Sequence, residues 1–158
     1  MGVKPIPEGY NTLTAVLAVE DASAAIGFYK QAFGAKERMR MEAPGGKIAH
    51  AELEIGDSLI MLSDPFPQSN VKPPNEAGTS TMSIFFYSED VDATIEQAVG
   101  AGATLTTPAE DMFWGDRFGT VTDPYGHQWS IATHVEDVPR EEMAERGKAA
   151  MEKMMSQV

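Results

Sequence analysis

The chain has 158 residues, the length of one domain, and its 42% hydrophobic content is enough for a core. Twelve Lys and Arg against 24 Asp and Glu leave a formal net charge of -12, which argues against nucleic acid or an anionic membrane as partner, since both need a basic footprint. With no cysteine, disulfides, zinc–thiolate centres and a Cys nucleophile are excluded.

The opening "MGVKPIPEGY" carries no apolar h-region, and no apolar run approaches membrane-spanning length, so a cytoplasmic location is expected. "NTLTAVLAV" (11–19) alternates and is rich in β-branched residues, which predicts a strand. Asp21 is placed to cap the helix that follows, and Ala25, Ile26, Tyr29, Ala32 and Phe33 recur at helical spacing as a buried stripe. Gly34 ends that helix as a left-handed cap would. "KERMRMEA" reads as a strand, "APGG" as a turn and "KIAHAELEI" as a second strand. Gly56-Asp57 makes a hairpin into a third, "SLIML". The first module, 11–63, is therefore βαβββ.

"DPFPQSNVKPPNEAGTS" holds four of the ten prolines, so 64–79 reads as a linker or lid loop. The second module, 80–134, repeats the grammar. "STMSIFFYS" is a strand and "DVDATIEQAVGAG" a helix. "ATLTT" and "DRFGTVT" are strands, "DPYG" a turn and "HQWSIATH" the closing strand. Three landmarks recur at offsets of roughly seventy residues: Glu20-Asp21 as Glu89-Asp90, Gly34-Ala35 as Gly102-Ala103, and Gly56 as Gly126. This agreement predicts one domain over 1–136 made of two duplicated modules. An appendage, 137–158, reads as a helix with Met143, Ala150, Met151, Met154 and Met155 on one face. That face suits docking on its own domain or on a partner subunit.

Strand alternation sorts the side chains into two faces. Leu13, Ala15, Leu17 and Val19 share one parity, as do Ile60 with Leu62, Met82 with Ile84 and Phe86, and Trp129 with Ile131. This apolar face is expected under the helices. The opposite parity mixes Thr14, Val16, Met61, Ser83, Phe85, Tyr87, Gln128 and Ser130, a composition that suits either a ligand cavity or a half-solvated sheet.

"LAVEDASAAIGFYKQAFGA", "EDVDATIEQAVGAGA" and above all "DRFGTVTDPYGHQWSIAT" resemble the vicinal oxygen chelate superfamily of glyoxalases, bleomycin-resistance proteins and dioxygenases, in its PhnB-like branch. The resemblance covers residues 11–134. It implies an α+β fold in which two βαβββ modules form a curved mixed sheet around a cavity. It also implies a homodimer. Metal-using members place His seven residues before the Asp that opens each helix, and Glu four or five residues after each hairpin glycine. Carried onto this chain, those four slots fall on Thr14, Ser83, Met61 and Ser130. Two serines, a threonine and a thioether are weak ligands for zinc, nickel or iron, so the standard metal centre is expected to be absent, with no cofactor and a divalent metal only at a non-standard site.

What chemistry remains lies in two places. His50 and Glu52 share one parity on "HAELEI", opposite Ala49, Ala51 and Leu53. They are candidates for acid–base work, or a plain hydrogen-bonded pair on a half-exposed strand. "DMFWGDRFG" crowds Phe113, Trp114 and Arg117. Arg117 is a candidate clamp for a carboxylate or phosphate, with Trp114 and Phe113 stacking on the ligand, or else part of an Asp–Arg pair that holds the loop. A planar or anionic small molecule is the expected ligand. Two functions stand side by side: a metal-free small-molecule binding protein, or a glyoxalase-like lyase, isomerase or dioxygenase relative using His50 and Glu52, alone or around a displaced metal.

Overall fold

The structure is a computed structural model and describes residues 2–157. Module one runs β1 (Ala15–Ala18), α1 (Ala22–Phe33), β2 (Lys36–Ala43), β3 (Lys47–Ile55) and β4 (Ser58–Ser63). A short α2 (Pro74–Ala77) lies in the linker. Module two runs β5 (Ser83–Tyr87), α3 (Val91–Ala101), β6 (Thr104–Asp111), β7 (Asp116–Thr122) and β8 (Gln128–His134), and α4 (Arg140–Met155) follows. The helix boundaries have local causes. Asp21 Oδ1 accepts from Ala24 N at 3.2 Å and Asp90 Oδ1 from Ala93 N at 3.0 Å, each satisfying a donor the first turn leaves free. Gly34, at φ 67, turns the chain left-handed and ends α1.

The two sheets have the same order, β1-β4-β3-β2 and β5-β8-β7-β6. In each, the first strand pairs in parallel with the last and the other pairs are antiparallel. This is the duplicated α+β plan the sequence predicts. The four-stranded sheets remain separate, with no ladder joining β1 to β5. The modules are instead held together by α1 against α3 and by an aromatic cluster beneath them. The Trp129 ring lies 4.5 Å from that of Phe33 and 5.5 Å from that of Tyr29. The Tyr29 hydroxyl crosses to Asp123 at 2.6 Å, and His127 Nε2, in the turn before β8, meets the Ala18 carbonyl oxygen at 2.9 Å.

Strand parity is reproduced over most of its length. Leu17, Val19, Ile60, Leu62, Trp129 and Ile131 are buried on the helix-covered faces, while Val16, Phe85 and Tyr87 lie on the open ones. Leu13 and Met82 depart from it, 89% and 54% exposed. Both precede the first hydrogen-bonded residue of their strands, Ala15 and Ser83, so no ladder holds them in the pleat.

The segment before β1 folds back over the open face of module one, where Arg38 sits 5.9 Å from the Tyr10 ring centre. At the other end, α4 docks on the loop between β6 and β7. Arg146 bonds Glu136 at 2.7 Å and Glu142 at 2.6 Å, and a Cβ at Gly147 would come within 3.3 Å of the Phe113 ring. The docked face is Met143, Arg146, Gly147 and Ala150, leaving Met151, Met154 and Met155 exposed. Among the described residues no helix is long and apolar enough to cross a membrane.

Candidate ligand-binding site

Module two owes its open face to alternation. Gly119, Val121, Trp129 and Ile131 turn to the helix side, so Phe118, Thr120 and Ser130 face outward beside Phe85 and Tyr87 of β5. The rings form a continuous series. Tyr87 is 5.0 Å from Phe85, Phe85 stacks on Phe118 at 5.8 Å, Phe118 meets Trp114 edge-on at 5.6 Å, and Trp114 meets Phe113 at 5.1 Å. Ser83 and Ser130 hydroxyls lie 2.7 Å apart beside this wall, while Gln128 is exposed at the start of β8. Phe85 and Tyr87 also border a cavity of about 440 Å³ between the modules, opposite Leu13, Ala15 and the β3–β4 hairpin.

The wall is fixed from behind by Asp116, a carboxylate only 2% exposed. Its Oδ2 accepts from the Tyr87 hydroxyl and from Trp114 Nε1, both at 2.9 Å, and its Oδ1 lies 2.8 Å from His134 Nδ1. Burial alone would raise the Asp116 carboxyl, but donation from His134, Tyr87 and Trp114 outweighs it and holds the group below its ordinary range. No local pattern in the sequence announces this node, because its partners come from residues 87, 114 and 134. Glu136 and Asp137 follow His134 in the chain. His134 does bond Asp137 at 2.8 Å, but the buried partner is Asp116.

Those two carboxylates, Asp137 first and then Asp116, raise the His134 imidazole above its ordinary 6.5. A raised folded-state value means the contribution to stability is full below the unfolded value and is lost as pH rises through the folded one. The stability gap between the wild type and His134→Gln should therefore be largest at mildly acidic pH and close as pH climbs above neutral. Thermal melts across that range check it, and a gap that widens with pH would contradict the ion-pair geometry.

Arg117 does not reach this face. It alternates with Asp116 and Phe118, so it projects to the helix side, where Nε and Nη2 grip Asp92 at 2.7 and 3.0 Å and Nη1 meets Asp111 at 3.3 Å. Its fork is committed to holding α3 on β7, which corrects the expectation of an anion clamp. Trp114 does belong to the wall, and Phe113 sits at its end under α4.

On module one, Thr14 and Met61 line an open cavity of about 250 Å³ together with Pro5, Ile6, Pro7 and Tyr10, while Val16 lies exposed nearby. His50 Nε2 and Glu52 Oε1 are 3.3 Å apart, as their shared parity implies. Glu52 is held below its ordinary range by the adjacent Tyr10 hydroxyl, against burial and with help from His50. Burial, then Glu52, raises the Tyr10 hydroxyl to about 12. That hydroxyl is buried without reaching full hydrogen-bond geometry to any partner. Nothing in the strand pattern indicates that a residue before β1 would reach Glu52. Among the described residues no group of three or more His, Asp or Glu side chains is placed to hold a metal ion.

The sequence model for the Glyoxalase/Bleomycin resistance protein/Dioxygenase superfamily matches residues 12–131. An uncharacterized protein of Mycobacterium tuberculosis is 42% identical over 130 residues, covering 80% of this chain and 76% of that protein. Among solved structures, TioX from Micromonospora sp. ML1 superposes with a TM-score of 0.64 at 27% identity over 79% of this chain and 99% of TioX. An Arabidopsis thaliana gene product superposes with a TM-score of 0.65, also at 27% identity, over 78% of this chain and 98% of its own.

Proposed function

Since the chain belongs to the glyoxalase/bleomycin resistance/dioxygenase superfamily, we propose that it is a small-molecule binding protein of the resistance type that works without the superfamily's standard metal centre. The observation that carries this reading is the open face of module two. Five aromatic rings in series lie beside a hydroxyl pair, and two of the rings, Phe85 and Tyr87, are 47% and 60% exposed. A planar ligand laid on such a wall buries apolar area and gains from ring stacking, with Ser83, Ser130 and Gln128 supplying orientation. At the positions that correspond to the superfamily's ligand slots, Ser83 and Ser130 bond each other and Thr14 and Met61 line a separate cavity. Neutral hydroxyls and one thioether do not fit a divalent zinc, nickel or iron ion.

The protein acts in the cytoplasm as a homodimer in this reading. Val16, Met39 and Met41 are exposed apolar side chains on the open sheet face of module one, which a second copy would cover in part. Native mass spectrometry of the purified protein tests the whole reading. The expected spectrum is a dimer that retains an organic mass or none. A dimer with near-stoichiometric zinc, nickel or iron would overturn it.

A second reading, a glyoxalase-like lyase, isomerase or dioxygenase relative, has one observation in its favour: the His50–Glu52 pair, whose Glu52 lies beside the Tyr10 hydroxyl. A turnover that disappears in both His50→Ala and Glu52→Gln would support it.

A further inference from the structure

The charges of module two are one-sided. Residues 80–134 contain eight Asp and Glu but a single Lys or Arg, Arg117. That one cation points away from the aromatic wall and is taken up by Asp92 and Asp111. Two carboxylates lie on the wall's own side of the sheet. Asp116 sits behind Tyr87 and Trp114, and Glu110 stands opposite Phe118 in the β6–β7 register, exposed and in no ion pair among the described residues. His134 lies beyond Asp116 and bonds both it and Asp137, and Arg146 of α4 is held by Glu136 and Glu142. A ligand on the wall therefore meets π faces, hydroxyls and negative charge, and among the described residues of module two no Lys or Arg is left to receive an anion.

Resting on the reading of this face as a stacking site, we propose that it selects planar organic cations over neutral or anionic compounds of the same shape. Two physical effects act in the same direction. The quadrupole of each ring presents negative charge from its face, so a delocalised cation stacked on Phe85 and Phe118 gains attraction that a neutral ring does not. The carboxylates of Asp116 and Glu110 add a local negative potential, strengthened by the low-dielectric surroundings of a buried group. For an anion both effects reverse. The expected ligand class is a flat aromatic ring system bearing a delocalised positive charge or a protonated amine.

The test uses three compounds of one shape: proflavine as cation, acridine as neutral isostere and acridine carboxylate as anion. They are titrated by fluorescence into the full chain at a pH where acridine is uncharged. Proflavine should bind about tenfold more tightly than acridine, and the carboxylate most weakly. Phe85→Leu removes one π face and leaves every charge in place, so it should erase most of the proflavine preference. Glu110→Gln, at an exposed position where folding is not at stake, should weaken proflavine about twofold and leave acridine unchanged. If acridine or its carboxylate binds as tightly as proflavine, charge selection is wrong while the stacking site stands. If the preference survives intact in Phe85→Leu, it is bulk attraction to an acidic protein and the proposal fails. If none of the three binds, the stacking site itself is wrong and the proposal falls with it.

Discussion

Replacing Asp123 with alanine is expected to cost about 4 kcal/mol of stability, lowering the melting temperature by roughly 10 °C in a domain of this size. The side chain is 4% exposed and takes four donors. Oδ2 accepts from the Tyr29 hydroxyl at 2.6 Å and from Trp129 Nε1 at 2.9 Å. Oδ1 accepts from two backbone N–H groups of the turn between β7 and β8, Tyr125 at 2.9 Å and His127 at 3.0 Å. Alanine leaves the two ring donors unpaired in a core where neither Tyr29 nor Trp129 is more than 1% exposed. Each stranded donor costs on the order of 1–3 kcal/mol, and the loss of turn bonds adds to that. Because Tyr29 belongs to module one and Asp123 to module two, the loss also weakens the seam between them. Urea unfolding checks the figure. A loss below about 1 kcal/mol would mean the donors find other partners or water.

Asp64→Ala should be the next most damaging change, at about 3 kcal/mol. This carboxylate is 2% exposed and joins two elements through backbone donors, Ala22 N at 3.1 Å in the first turn of α1 and Ile48 N at 2.7 Å in β3. The return bond from Asp64 N to the Ile48 carbonyl oxygen, at 3.0 Å, survives the substitution, and no aromatic donor is stranded, so the cost falls short of the first case. Lys47 Nζ stands 3.9 Å away on a half-exposed side chain and contributes little. Amide hydrogen exchange should accelerate at Ala22 and Ile48 ahead of the rest of module one. Exchange that is unchanged at both would contradict the assigned role.

Much of this was readable from the sequence because it is written in local chemistry. Asp21 and Gly34 bound α1, and Asp90 and Gly102 bound α3, as cap residues do. Alternation fixed which side of β4, β5 and β8 meets the helices, and the same rule already separates Arg117 from Asp116 and Phe118. Three things were out of reach. Leu13 and Met82 carry the right parity but sit outside the ladders, and a ladder's end is set by its partner strand. The contact of Tyr10 with Glu52 depends on a segment with no periodicity folding back. The Asp116 node gathers Tyr87, Trp114 and His134 across as many as 47 positions, from β5 to β8, a convergence only the closed sheet creates.

The central claim is that the wall of module two binds its ligand by stacking, with no metal between protein and ligand. The most direct measurement is a fluorescence titration of proflavine into chelator-treated protein, repeated after addition of excess zinc. Equal affinity in the two titrations is the predicted result. Binding that appears only in the zinc-loaded protein would contradict it.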